Sequence, residues 1–167
     1  KRITNFDISG QTTQQNHSIY AFKNSKYIGL FDIDEYVNMQ NNTNIDNFFN
    51  LLITKQKLDI NKIGGFKIKN KDFTNPDNLS TNQYDFLFIF SCKEISRIGR
   101  MKNFVIPNNV DTYSIHIITS GKKMYDIDFK NLYFNHYIFL NKSNRGKDIT
   151  NLQDDSIIKH CKFIEDK

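Results

Sequence analysis

The segment Tyr27-Ile-Gly-Leu-Phe-Asp-Ile-Asp-Glu-Tyr-Val37 constrains the fold more than any other. An uncharged, mostly apolar run stops abruptly on Asp32, Asp34 and Glu35. Such a run reads as a strand covered on both faces, as in a parallel sheet. Alternation along it places Asp32 and Asp34 on one side and Ile33 on the other. Paired carboxylates at the C-terminal end of a buried strand face the crevice in which open α/β sheets bind ligands. A divalent cation relieves their repulsion, and hard oxygen ligands select Mg²⁺ or Mn²⁺. A dication with open positions can bridge phosphate oxygens and carry the charge that develops on a departing diphosphate. The plainer alternative is a pair of exposed carboxylates at a turn.

The rest of the chain supplies neighbours for that strand. Ile45, Phe48, Phe49, Leu52 and Ile53 recur at helical spacing, which predicts a helix over 44–53 with Thr43 or Asn44 as N-cap. Residues 11–26, with Ile19, Tyr20 and Phe22 on one side, predict a second helix running into the apolar strand. Gly64-Gly65 leads into Phe66-Lys-Ile-Lys69, an alternating strand; 103–107 and 113–118 read as short strands and 132–140 as another β-rich stretch. Residues 84–90 fit a strand or a buried helix, 75–78 a turn, and 151–164 a terminal amphipathic helix. No repeat and no Gly-, Pro- or Ser-rich linker divides the chain, so residues 1–167 are expected to form a single domain. Strands and helices around a parallel core make the class α/β or α+β.

Composition narrows the function classes. With 38% hydrophobic and 25% charged residues, the chain should be globular. Its longest apolar runs are too short to cross a bilayer, and Lys1-Arg2 leads into a polar stretch, unlike a signal peptide. The expected location is the cytoplasm or the cytoplasmic face of a membrane. Two cysteines, Cys92 and Cys161, exclude a disulfide scaffold and multi-cysteine zinc sites. The first residue is not Met, so the chain is expected to be a piece of a longer product. The net charge of +5 comes mostly from 19 Lys; together with 22 Asn, 23 Ile and a single Ala this suggests AT-rich coding more than a polyanionic partner. Nucleic acid is therefore not expected as a partner, and the densest basic patch, Lys67-Ile-Lys-Asn-Lys71, reads as one solvated face of a strand.

Two families place Asp-x-Asp at the end of an apolar strand. The haloacid-dehalogenase phosphatases do so, and Thr119-Ser120, Lys142 or Lys147, and Asp154-Asp155 imitate their later motifs. However, Tyr36 stands where those enzymes usually carry Thr or Val, and no strand precedes the closing acids. Most of the chain instead resembles GT-A-fold glycosyltransferases of the family 92 and family-2-like type. Phe31-Asp-Ile-Asp-Glu-Tyr-Val37 follows their Asp-x-Asp-Glu-Phe/Tyr pattern, and Lys102-Asn-Phe-Val-Ile-Pro107 their Lys-x-Ile/Val-x-Pro element. Asn135-His-Tyr-Ile-Phe-Leu-Asn-Lys-Ser143 with Arg145-Gly-Lys147 is similar to their closing His-Tyr and basic segment. The family's Phe-Gly-Ser/Asn is replaced by Lys71-Asp-Phe-Thr-Asn75.

The resemblance implies an α/β, GT-A-like (Rossmann-related) mixed sheet flanked by helices and lacking the first βαβ unit, which would reside upstream or in a partner chain. It implies metal-dependent transfer of a sugar, in an inverting, hexosyl-type reaction, from a nucleotide-sugar (a UDP-sugar above all) to a glycan, lipid or protein. Asp34 would ligate Mn²⁺ or Mg²⁺, Asp32 would reach the metal or the donor ribose, and Glu35 would orient the turn or touch the sugar. His136 would be a further metal or diphosphate contact. Lys142, Arg145 and Lys147 would close over the diphosphate, or else form an ordinary basic loop. Asp72 is the first candidate for an acceptor base and Asp85 the reserve, a surface acid being the alternative for both. A remnant of the fold that binds a glycan or nucleotide-sugar without catalysis is the competing reading.

Overall fold

The computed structural model describes residues 6–40, 44–74, 93–95, 100–137 and 149–153. In chain order these form helix α1 (Phe6–Ala21), strands β1 (Ile28–Leu30) and β2 (Glu35–Met39), and helix α2 (Ile45–Gln56). Strands β3 (Gly65–Thr74), β4 (Lys93–Ile95), β5 (Met101–Val105), β6 (Val110–Ser114) and β7 (Ile117–Gly121) follow. The last are β8 (Met124–Asp126), β9 (Leu132–Tyr137) and β10 (Ile149–Gln153).

The long strand β3 is the spine. Its first half pairs antiparallel with β5 along one edge and parallel with β8 along the other. Its second half pairs antiparallel with β4 and parallel with β9. Antiparallel partners extend the sheet outward: β1 beside β5, β10 beside β4, and β2 beside β9. Strands β6 and β7 form a separate hairpin. Gly65 opens β3 at φ +150°, and a Cβ there would collide with the Phe104 carbonyl, so glycine lets β3 and β5 close up.

Helix α2 forms where its sequence signals place it. The Asn44 side chain accepts from the backbone N–H groups of Asp46 and Asn47, and Lys57 ends the helix in the left-handed region at φ 51°. Phe48, Phe49 and Leu52 point into the core. Phe49 stacks on Phe66 at 4.3 Å between ring centroids and meets Phe104 edge-on at 5.3 Å. Burying each such ring is worth roughly 1.5–3 kcal/mol.

Alternation along β3 continues well beyond Lys69. Phe66, Ile68, Asn70, Asp72 and Thr74 share one face and all are buried. The face is apolar at its start, under α2, and polar at its end. Lys67, Lys69 and Lys71 occupy the other face, as their spacing predicts.

Several expectations need correcting. The apolar run from Tyr27 yields only a three-residue strand, β1, paired antiparallel with β5; it is not a central parallel strand. Phe31 leaves the strand to pack its ring on Phe104 and Phe134, at 5.6 and 5.0 Å, and Phe31 to Asp34 carry no strand pairing. Among the described residues, parallel pairing involves only β3 with β8 and β9, so this sheet is mixed and largely antiparallel. Residues 113–118 are not one strand: β6 turns into β7 at Ile115-His116, with Ile115 at φ 44°. Residues 151–153 belong to strand β10 and not to a helix. The expected elements at 75–78, 84–90, 138–140 and 154–164 lie outside the described residues. A curled mixed sheet with two helices is compatible with the α/β class. Among the described residues no helix is long and apolar enough to cross a membrane.

Candidate active site

The acids after β1 lie in the tight connection to β2, closed by two hydrogen bonds. The Glu35 N–H donates to the Asp32 carbonyl at 3.1 Å, and the Asp32 N–H donates to Glu35 Oε2 at 2.8 Å. Glu35 is buried, and its Oε1 accepts from Asn70 Nδ2 at 2.8 Å. Lys102 of β5 completes this cluster. It stands opposite Ile68 of β3, and therefore on the face that carries Asn70. Its Nζ lies 2.5 Å from Asp32 Oδ2 and 3.1 Å from Glu35 Oε2, with 4% of the side chain exposed. An ammonium so deeply buried is tolerated only when paired, and here two carboxylates pair it. Gln11 of α1 donates to Asp32 Oδ1 at 3.3 Å.

Asp34 belongs to a second cluster. Pairing of β2, β9 and β3 sets Glu35, His136 and Asp72 in one row across three strands, so their side chains share a face. His136 Nδ1 is 2.8 Å from Asp72 Oδ1, and Asp72 is 0% exposed. The direction of this bond follows the ring's tautomer: toward an ionised Asp72, which only accepts, the proton is on Nδ1. Nε2 on the opposite side of the ring lies 3.5 Å from Asp34 Oδ2. Asp34 is held from the β9 side as well, its carbonyl accepting from the Tyr137 N–H at 3.2 Å. When the ring is protonated on both nitrogens, hydrogen bonding from His136 lowers the Asp34 pKa below the usual carboxylate range, against the opposing effect of burial, with smaller help from the His136 and Lys102 charges. The Asp34 side chain is 40% exposed and that of His136 15%, so this pair opens to solvent. The two aspartates of the turn are thus in different hands: Asp32 faces a fixed ammonium and Asp34 an imidazole.

A protein-family comparison bears on this geometry. The family model of glycosyltransferase family 92 matches residues 1–164. The chain belongs to glycosyltransferase family 92. No curated protein matches the sequence. Membership in family 92 supports glycosyl transfer in general, with a nucleotide-sugar donor and an acceptor, and replaces the phosphatase reading. Thr119, which imitated a phosphatase motif, hydrogen-bonds Thr112 within the β6–β7 hairpin.

Of the expected site residues in this family 92 chain, Asp32, Asp34, Glu35, Asp72 and His136 are brought together by β2, β3, β9 and the turn before β2. Asp85, Lys142, Arg145 and Lys147 lie outside the described residues, as do both cysteines. His116 is at the hairpin turn, where its carbonyl accepts from Asn103 Nδ2 at 2.8 Å and burial lowers its pKa. Among the described residues, no group of three or more His, Cys, Asp or Glu side chains is arranged to hold a metal. Asp34 and His136 supply a pair of donors, and Asp32 is turned to Lys102.

Sequence reasoning passed over Lys102, Asn70 and Gln11 as members of the site. Lys102 was legible as the inward position two before Phe104, where a charge requires an acidic partner. Asn70 was legible as the next inward position after Phe66 and Ile68. Gln11 had no signal beyond its place on a polar helix.

Proposed function

We propose that this chain transfers a sugar from a nucleotide-sugar donor, a UDP-sugar in particular, to a glycan, lipid or protein hydroxyl with the aid of Mn²⁺ or Mg²⁺. The observation that carries this reading is the facing of Asp34 Oδ2 and His136 Nε2 at 3.5 Å, in a partly open position. In the neutral ring with its proton turned to Asp72, both facing atoms are acceptors, and an oxygen beside an imidazole nitrogen is a donor set that suits a divalent cation. Asp34 and His136 would hold the ion, which supplies shielding for the charge that develops on the leaving diphosphate.

The remaining roles fall to the chain's own side chains. Asp32, half exposed and anchored through Oδ2 by Lys102, is suited to the hydroxyls of the donor ribose more than to the ion. Glu35 is closed into the turn and so fixes where both aspartates point. Asp72 is too enclosed to meet an acceptor hydroxyl, so an inverting transfer would take Asp85 as its base. Lys142, Arg145 and Lys147 would cover the diphosphate as a basic lid.

Incubating the intact protein with Mn²⁺ and a panel of nucleotide-sugars should release nucleotide or give a glycosylated acceptor, and Asp34→Asn should abolish it. Equal turnover by wild type and Asp34→Asn would overturn the proposal. One observation favours a second reading, a fold that binds its ligand without catalysis: Lys102 already neutralises Asp32 and Glu35 from within. Thermal stabilisation by UDP with Mn²⁺, combined with no turnover on any donor, would move the assignment there.

A further inference from the structure

We infer that Asp72 is a positioning residue that fixes the His136 ring with its proton on Nδ1, leaving Nε2 as the donor aimed at the ion-binding position beside Asp34. The inference rests on the ion-binding reading above and assigns Asp72 a part other than that of a base. Asp72 and His136 are register partners on the parallel strands β3 and β9, so the backbone pairing itself sets the two side chains side by side. The 2.8 Å contact is made by a carboxylate with no solvent exposure, next to a ring that is mostly covered. A carboxylate buried to that degree costs stability unless a donor meets it, and the Nδ1–H is such a donor.

The arrangement is directional. In the neutral ring, a bond from Nδ1–H to Asp72 leaves the lone pair on Nε2, and Nε2 is the atom that faces Asp34 Oδ2. Carboxylates in this position orient the ring and raise its basicity as a ligand, and removing them typically costs 10–100-fold in metal affinity. Glu35, the other register partner of His136, cannot share the task because its two oxygens are taken by Asn70, the Asp32 N–H and Lys102.

Nitrogen NMR on the metal-free, ¹⁵N-histidine-labelled protein at alkaline pH reads the tautomer directly, and with 4 His in the sequence the His136 signals are assignable by His136→Ala. The expected result is a protonated Nδ1 and an unprotonated Nε2 in the wild type; the reverse tautomer overturns the inference. Asp72→Asn, whose amide can serve either tautomer, should remove that preference and weaken Mn²⁺ binding by about 10–100-fold by calorimetry. Mn²⁺ affinity lost in His136→Ala but intact in Asp72→Asn overturns the inference and leaves the metal reading standing. Affinity unchanged in His136→Ala overturns the metal reading, and the role of Asp72 in setting the tautomer then stands or falls on the NMR result alone.

Discussion

The two halves of β3 offer the same face to the interior and do opposite things with it. Phe66 and Ile68 meet Phe49 and Phe104 under α2 and bury apolar surface, while Asn70 and Asp72 meet Glu35 and His136 through directed polar contacts. The first half gains from contact area and tolerates reshaping. The second gains only if each partner is in place, since a buried polar group left unpaired is a net loss. One strand therefore joins a core that supplies stability to a site that consumes some of it.

Substitutions on either side of that divide should separate the two behaviours. Phe66→Ala, on the apolar half, should cost the most, about 4 kcal/mol by denaturant titration, because the Phe49 stack loses its partner. Lys102→Met should cost about 3 kcal/mol, since Glu35 would remain buried without its cation, and the Lys102→Met/Glu35→Gln pair should recover part of the loss. If the single and double variants were equally unstable, the polar half would not depend on pairing as described.

Away from the divide, Tyr113 offers a pH test. Burial pushes its hydroxyl up to about 12, against the lowering effect of its bond with Asn103. A folded pKa raised above the ordinary value of 10.0 means that the contribution is full below pH 10 and is lost as pH rises toward 12. Stability should fall by up to about 2 kcal/mol across that interval, and Tyr113→Phe should flatten the fall. Asn44→Ala should have the smallest effect, about 1 kcal/mol, through loss of the α2 N-cap. A larger loss there would mean that the helix end does more than cap.

How much of this was legible in the sequence follows from the range of the forces involved. Helix α2 and its cap were readable because spacing and capping are local, and β3 because alternation is local too. The acidic turn was misread as a strand end: a run of apolar residues does not reveal that Phe31 will leave the strand to pack on Phe104 and Phe134. The hairpin at Ile115-His116 was hidden because a left-handed Ile carries no composition signal. Within the candidate site, the family resemblance singled out Asp34 and His136, and the structure places their side chains 3.5 Å apart. The separation of Asp32 from Asp34 depends on Lys102, 70 residues away from Asp32 along the chain, and only sheet register brings it there.

In the proposed function the two aspartates of one turn divide their duties: Asp34 and His136 would hold a dication, while Asp32 is bound to Lys102. Mn²⁺ titration followed by electron paramagnetic resonance, on wild type, Asp34→Asn, His136→Ala and Asp32→Asn, tests it most directly. Asp34→Asn and His136→Ala should abolish high-affinity binding, and Asp32→Asn should keep it within a few-fold. Strong binding that survives Asp34→Asn, or that disappears only with Asp32→Asn, would contradict it.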